Sequence, residues 1–197
     1  MAGSINQFVS SFAKELARPS RFDVTIPVPI PLIPYRATAR NLSLRCETTE
    51  LPSRSFSTAD QKFGTNPIEK HAYQSNYNEL TMTFIVSDDM SEKIFFDAWM
   101  ELINPTTDFN MQYKNNYAVD LSINQYDVSN SLTYAAVLRE AYPLAINQLD
   151  MDWSNEGYHK LAIVFAYKQW NNNTIQSLGQ NLAQAAITGL VNDITSA

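Results

Sequence analysis

The stretch "LDMDWSNEGYHKLAIVFAYKQW", residues 149–170, decides the class of fold. From residue 159 onward its side chains alternate between two faces, as they do in a β-strand. Both faces are mainly apolar, with His159, Leu161, Ile163, Phe165 and Tyr167 on one and Ala162, Val164 and Ala166 on the other. Because a lone β domain usually leaves one sheet face to water, this strand predicts a second cover, supplied by its own chain or by another.

The composition narrows the class of protein further. A chain of 197 residues can bury a core without disulfides or metals. Aromatic residues reach 12% while charged residues stay at 17%, below the usual level of about 25%, which is typical of subunits that contact other subunits. The net charge of -6 argues against the basic surface that tight nucleic-acid binding requires. Cys46 is the single cysteine, which predicts no internal disulfide and a reducing compartment.

The first 17 residues are predicted to form a helical arm. Apolar residues recur there at helical spacing behind Ser4, at Ile5, Phe8, Val9, Phe12, Ala13 and Leu16. Arg18-Pro19 ends this helix. We find no export signal and no apolar stretch of the roughly 20 residues that a membrane span needs. The expectation is a protein without a membrane contact, made in the cytoplasm.

Residues 18–170 are predicted to form one β domain. Alternation predicts strands in "RFDVTIPV" (21–28), "ARNLSLRCETTELP" (39–52) and "LTMTFIV" (80–86), and a hairpin from "YAVDLSINQYD" (117–127) and "LTYAAVLREAYP" (132–143). In the second of these strands Leu42, Leu44 and Cys46 share one face. The prolines of "PVPIPLIP" (27–34) predict an exposed extended arm or sheet edge, with a plain connection as the alternative.

One helix is expected to cover a sheet of this domain. Asp89 and Glu92 resemble a capping box at its start, and Asn104-Pro105 ends it. Its apolar face is predicted to consist of Ile94, Phe95, Ala98, Trp99 and Leu102.

Two further segments predict contacts with other subunits. Residues 53–78 have no clear period and are predicted to be a long loop, whose scattered aromatic residues Phe56, Phe63 and Tyr73 favour order through contact. Residues 171–197 predict an amphipathic helix that is stable only when docked, because such a helix is marginal alone. Its apolar stripe comprises Ile175, Leu178, Leu182, Ala186, Leu190 and Ile194.

A search for catalytic chemistry finds little. The sequence has no phosphate-binding glycine loop, no paired-cysteine or HExxH zinc spacing and no GxSxG elbow. His159 begins a strand and is interpreted as structural, and Cys46 as a small apolar side chain rather than a nucleophile. Asp150 and Asp152 could hold a cation or form an acid–base pair, but a solvated turn is the preferred interpretation. The sequence therefore predicts no enzyme, no cofactor and no metal site.

Four blocks carry a resemblance to a known family. They are "LARPSRFDVTI" (16–26), "CETTELP" (46–52), "AYPLAINQLDMDWSNE" (141–156) and "LAIVFAYKQW" (161–170). In order and spacing they resemble the tail tube proteins of contractile-tailed bacteriophages. The resemblance spans most of residues 16–170. Its more specific part is the combination of ARPxxF before the first strand with LDMDW before the last strand.

The resemblance implies a fold and an assembly. The fold would be mainly β, a two-sheet β-sandwich or barrel-like core with one packed helix, to which the sequence adds short N-terminal and C-terminal helices. Six copies would form a ring, and the rings would stack into a tube within the virion tail. DNA would pass through the lumen without tight binding, and tail sheath or baseplate proteins would be partners. We expect subunit contacts at Arg18, Pro19, Phe56, Phe63, Tyr73, Trp153, Ile175, Leu178, Leu182 and Leu190.

Two alternatives stay open at this point. The helix after Trp170 and the proline-rich arm are additions relative to repeating tube subunits, and baseplate proteins that initiate the tube carry such additions on the same fold. From another class, a small-ligand-binding β-barrel would use the apolar strand face to line a cavity.

Overall fold

A computed structural model describes residues 5, 16–62, 64–65, 67–154 and 156–173 of the chain. Its strands are β1 (Phe22–Thr25), β2 (Cys46–Thr49), β3 (Ser55–Gln61), β4 (Glu69–Asn76), β5 (Leu80–Ile85), β6 (Val119–Tyr126), β7 (Leu132–Ile146), β8 (Lys160–Ala166) and β9 (Gln169–Asn172). Its helices are a 3₁₀ helix (Ile30–Tyr35), α1 (Arg36–Arg45), α2 (Ser91–Ile103) and α3 (Lys114–Tyr117). The fold is mainly β, as predicted.

The long strand β7 joins two halves of the large sheet, whose order is β1-β6-β7-β8-β5-β2. Its first part pairs with β6 on one side and with β9 on the other, and its second part pairs with β8. All of these pairs are antiparallel. β3 and β4 form a separate two-stranded sheet. The result is the predicted arrangement of two sheets with one packed helix.

The change of partners along β7 occurs at Glu140, whose backbone has a left-handed φ of 52°. Non-glycine residues adopt this conformation at a cost, and the neighbouring contacts stabilise it. The Glu140 N–H donates to Asp120 Oδ1 (3.0 Å), and the Glu140 carboxylate accepts from Lys168 (2.8 Å) and pairs with Lys114 (3.0 Å). The hydrogen bonds from the two lysines lower the pKa of Glu140.

Helix α2 covers the inner face of the β5–β8 half. Phe95, Phe96 and Trp99 are fully buried, and the Trp99 ring meets Phe165 of β8 at 6.5 Å between centroids. One core joins these residues to both halves of the large sheet. The predicted helix and its end before Asn104 are confirmed, but its buried face is rotated: Ile94 is exposed, whereas Phe96 and Ile103 are buried.

The start of α2 differs from the predicted capping box. Met90 precedes the helix with a φ of 52°, and Asp89 Oδ1 accepts from the Ser91 N–H (3.2 Å). Glu92 turns inward and accepts from the N–H (2.9 Å) and hydroxyl (2.7 Å) of Ser87. It also forms an ion pair with Arg45 at the end of α1. Glu92 therefore links the two helices instead of capping one.

Two predictions for residues 27–52 are wrong. The proline-rich segment contains a 3₁₀ helix, which buries Leu32, instead of an extended arm; the φ that proline prefers also suits this helix. Residues 36–45 form α1 instead of a strand, because Ala39 and Leu42, three apart, face the core while Leu44 points to solvent. The strand begins only at Cys46.

The strand quoted from the sequence is confirmed as β8. Leu161, Ile163 and Phe165 are fully buried on its inner face, whereas Ala162 and Val164 on the opposite face are half-buried. Thr81 and Thr83 of β5 lie opposite these two residues in the sheet, so the middle of the outer face of β5 and β8 is a strip of small uncharged side chains. Lys160, at one end of β8, is paired with Glu47. The described helices cover the inner side of the strand, and none of them covers this outer face.

Candidate assembly surface

The β3–β4 hairpin is the most exposed part of the described chain. Ser57, Ser75 and Asn76 are half-buried, and the other residues of both strands are exposed. No strand of the large sheet pairs with it. Its faces and edges are therefore accessible to another chain. Such a contact would also stabilise it, because a two-stranded hairpin is at best marginally stable alone in water.

Two predicted contact residues lie together on this hairpin. Phe56 pairs with Ser75 across the strands, and Tyr73 lies two residues from Ser75, at the bulge in the register. The register shift leaves Tyr73 unpaired, so Phe56 and Tyr73 are two exposed aromatic residues on neighbouring strands of one hairpin. Their exposed fractions are 54% and 68%. The guanidinium of Arg54 lies 4.9 Å from the centroid of the Phe56 ring and donates to Ser75 Oγ (3.0 Å), which holds the Phe56 ring in place.

Side-chain hydrogen bonds fix the base of the hairpin to the body. The Trp170 indole N–H donates to the Ser53 carbonyl (3.1 Å), and the Asn78 amide donates to Ser53 Oγ (3.4 Å). Within the hairpin, the Asn76 amide donates to Ser57 Oγ (2.7 Å). The hairpin is thus held at its root, and beyond the root no side-chain hydrogen bond among the described residues joins it to the body.

The segment predicted as an irregular loop, residues 53–78, therefore contains this hairpin. The sequence carried no alternating pattern because the described part of the chain buries neither face of the hairpin. Phe63, the third aromatic residue predicted there, lies outside the described residues.

Arg18 and Pro19 lie in the exposed turn that leads into β1. The turn is attached to the sheet, since the Arg18 carbonyl accepts from the Gln125 side chain (2.7 Å) and the Arg21 N–H (3.3 Å). Both residues are exposed, and the hydrogen bond to Gln125 places the turn beside β6.

Trp153 lies in the connection between β7 and β8. Its side chain is fully exposed, and Met151 and Tyr158 in the same connection are exposed as well. With Asp150, Asp152 and His159 these residues line an open depression of about 320 Å³. Asp152 Oδ1 accepts from the N–H (3.0 Å) and hydroxyl (2.8 Å) of Ser154, and these bonds lower the Asp152 pKa. The two aspartates lie in an exposed turn, as preferred from the sequence.

The remaining predicted contact residues, Ile175, Leu178, Leu182 and Leu190, lie outside the described residues, as does most of the predicted C-terminal helix. Strand β9 extends to Asn172, two residues beyond the predicted end of the domain. Sequence reasoning missed several exposed apolar side chains, namely Ile30, Ile33, Leu44, Phe109, Met111 and Tyr113. Their isolated positions carry no period, and only their exposure identifies them.

The described residues offer little for catalysis or for a bound ligand. Burial raises the pKa of the Cys46 thiol to about 12, so this group is protonated and unreactive at neutral pH. Among residues 16–62, 64–65, 67–154 and 156–173, no group of three or more His, Cys, Asp or Glu could hold a metal ion. The core that a ligand barrel would leave open is filled by the fully buried Trp99, Phe84, Phe95, Phe96 and Phe165. In this part of the chain no helix is long and apolar enough to cross a membrane.

The fold is mainly β, and its exposed hairpin is a candidate surface for contact with other chains. The family model of the phage tail tube protein matches residues 17–173. The chain therefore belongs to the phage tail tube protein family, a family of structural proteins and not of enzymes.

Solved structures share the fold at low sequence identity. A chain from the anti-feeding prophage (AFP) baseplate is 16% identical, covers 81% of this chain and 96% of its own length, and has a TM-score of 0.58. A chain from the sheath–tube complex of the PVC extracellular contractile injection system is 15% identical, covers 83% of this chain and 95% of its own length, and has a TM-score of 0.58. No curated protein sequence is significantly similar to this chain.

Proposed function

We propose that this chain is the repeating subunit of a phage tail tube, in which six copies form a ring and rings stack around a lumen that passes DNA. The β3–β4 hairpin carries the proposal, because it is exposed on both faces and presents Phe56 and Tyr73 without a cover from the described residues. A neighbouring copy would supply that cover. Family membership supports the tube role, and the similar chains from a baseplate and a sheath–tube complex support partners of those kinds.

The hairpin is tested by the double substitution Phe56→Ala and Tyr73→Ala. If the two aromatic residues anchor an interface, we expect assembly to weaken by about tenfold or more. The melting temperature of the unassembled chain should change little, because both side chains are exposed. Sedimentation and negative-stain microscopy of the variant and the wild type measure both quantities.

Tyr113→Ala is the matched control, since Tyr113 is another exposed aromatic residue, away from the hairpin. It should assemble as the wild type does. Unchanged assembly of the Phe56 and Tyr73 double variant would contradict the role given to the hairpin.

The lumen is proposed to be formed by the outer face of β5 and β8. Thr81, Thr83, Ala162 and Val164 present no charge there, and the whole chain carries -6. A duplex carries one negative charge per roughly 1.7 Å of its length, so a basic lumen would hold it by neutralising phosphates. An uncharged strip in an acidic subunit does not bind the phosphates, so the duplex can slide through the lumen.

We expect wild-type assemblies to retain little duplex DNA in gel-shift titrations at low salt. Assemblies that carry Thr81→Lys and Thr83→Lys should retain DNA, with an affinity that falls steeply as salt rises. Asp108→Lys makes an equal change in net charge at an exposed position outside the strip and should retain less. Strong, salt-dependent retention by the wild type would overturn the proposed lumen.

A further inference from the structure

Two arginines on α1 have no partner in the described part of the chain. Arg36 and Arg40 are exposed, and neither forms a salt bridge or side-chain hydrogen bond there. By contrast, Arg45, Lys93, Lys114, Arg139, Lys160 and Lys168 all pair with carboxylates. Like charges four residues apart on a helix repel, so this pair does not contribute to the stability of α1.

The arginines border an apolar groove. The groove has a volume of about 930 Å³ and lies between α1 and the segment from Thr25 to Val28. Ile33 and Leu44 line it and are exposed, Leu44 to 87%. From residue 24 to residue 44 the sequence contains no acidic side chain. The groove is therefore apolar with a positively charged border.

A segment of opposite character follows β7. We call residues 150–154 the acidic loop: it carries Asp150 and Asp152, and between and beside them Met151 and Trp153 are exposed, Trp153 fully. No cation is present from residue 147 to residue 154. Asp150 has no hydrogen-bond or ion-pair partner in the described residues, and Asp152 uses Oδ1 for Ser154 only.

The spacing of the charges matches. Arg36 and Arg40 are four residues apart, about 6 Å along a helix axis. Asp150 and Asp152 are two residues apart, so their Cα atoms are separated by at most about 7 Å. Each segment also places large apolar side chains next to its charges. Leu44 and Trp153 do not contact each other within one chain, because both are almost wholly exposed.

We infer that the acidic loop of one copy docks into the α1 groove of a second copy, with Asp150 and Asp152 on Arg36 and Arg40 and with Met151 and Trp153 in the groove. The inference rests on the proposed function and identifies the contact by which one subunit binds the next. Because the two surfaces differ, the contact is head to tail, and a bound pair still presents one free loop on one copy and one free groove on the other. Such a contact propagates into rings or stacks instead of stopping at a dimer.

Charge reversal tests the pairing. Arg36→Glu with Arg40→Glu, and separately Asp150→Lys with Asp152→Lys, should each lower the assembled fraction by about tenfold or more, because like charges then meet. Combining all four substitutions restores opposite charges and should recover assembly. Circular dichroism melts verify that each variant is folded. The inference would be overturned if either double variant assembled as the wild type does. It would also be overturned if the combined variant assembled no better than the weaker of the two double variants.

Cysteine cross-linking provides a second test that does not depend on charge. In a Cys46→Ser background, chains with Leu44→Cys are mixed with chains carrying Trp153→Cys and oxidised. The mixture should give a covalent heterodimer, whereas each variant alone should stay uncross-linked. Replacing Trp153→Cys by Tyr113→Cys, at another highly exposed aromatic position, should abolish the product. Absence of a heterodimer in the first mixture would overturn the inference.

The two proposals fail in different ways. A wild-type chain that stays monomeric at all concentrations contradicts both the tube function and this contact. A wild type that assembles, without any effect of charge reversal and without cross-linking, contradicts only the contact between the acidic loop and the α1 groove.

Discussion

Arg45→Ala should lower the free energy of unfolding by about 3–5 kcal/mol, the cost of leaving a buried charge without its partner. Glu92 is fully buried, and Arg45 is the cation that neutralises it. After the substitution the Glu92 carboxylate keeps only the N–H and hydroxyl of Ser87 as described donors. For a domain of this size the loss corresponds to a melting temperature lower by roughly 10 °C.

A double-mutant cycle isolates this pair. Glu92→Gln removes the charge, so Arg45→Ala should cost much less when combined with it, with a coupling energy of about 1–3 kcal/mol. Denaturant unfolding of the four proteins provides the values. If the two effects simply added, the ion pair would not be what joins α1 to the start of α2. Lys93→Ala is the control, since its ion pair with Asp97 is on the helix surface and should be worth less than about 1 kcal/mol.

The second large effect is expected from Trp99→Ala, which should cost about 3–5 kcal/mol of stability. The Trp99 ring is fully buried and packs on Phe95, Phe96 and Phe165, with centroids 5.6, 6.4 and 6.5 Å away. Its indole N–H donates to the Tyr117 carbonyl (2.9 Å), which loses this donor in the variant. The substitution removes the side chain that holds α2 on the sheet.

Trp153→Ala is the matched control because it removes the same side chain from a fully exposed position. Its effect on the stability of the unassembled chain should stay within about 0.5 kcal/mol. Equal effects of the two substitutions in thermal unfolding would contradict the packing of α2 described above.

The parts of the fold that bury a regular stripe could be predicted from the sequence. β8 alternates between large side chains inside and small ones outside, β6 and β7 form the expected hairpin, and α2 ends where Asn104-Pro105 predicts. In each of these elements the chain itself buries one face, and this burial requires apolar residues at regular spacing in the sequence.

Elements without such a stripe could not be predicted in the same way. In α1, Leu42 and Leu44 alternate as in a strand, but only Leu42 is buried, and the tertiary contacts of Ala39 and Leu42 decide for a helix. The β3–β4 hairpin has no internal face, and β9 has only four residues. Local sequence is a weak guide wherever the contacts that define an element come from elsewhere.

The candidate assembly surface could be predicted only in part. Phe56, Tyr73 and Trp153 were predicted as contact residues, and the structure finds all three exposed; their contacts with another copy stay predictions. Arg36, Arg40 and Leu44 were not predicted as contact residues. Residues 39–52 were predicted to be a strand, whereas these three residues share a face only in a helix. The groove of the further inference lies along this helix, so a strand at residues 39–52 does not predict it.

Negative-stain microscopy of the purified full-length chain, with class averages at increasing concentration, tests the central claim most directly. We expect rings with six-fold symmetry and a central hole, which stack into tubes of uniform diameter as the concentration rises. Single rings that do not stack would instead point to a tube-initiating role at the baseplate. A chain that remains a monodisperse monomer throughout would contradict the claim that this protein is the subunit of a tube.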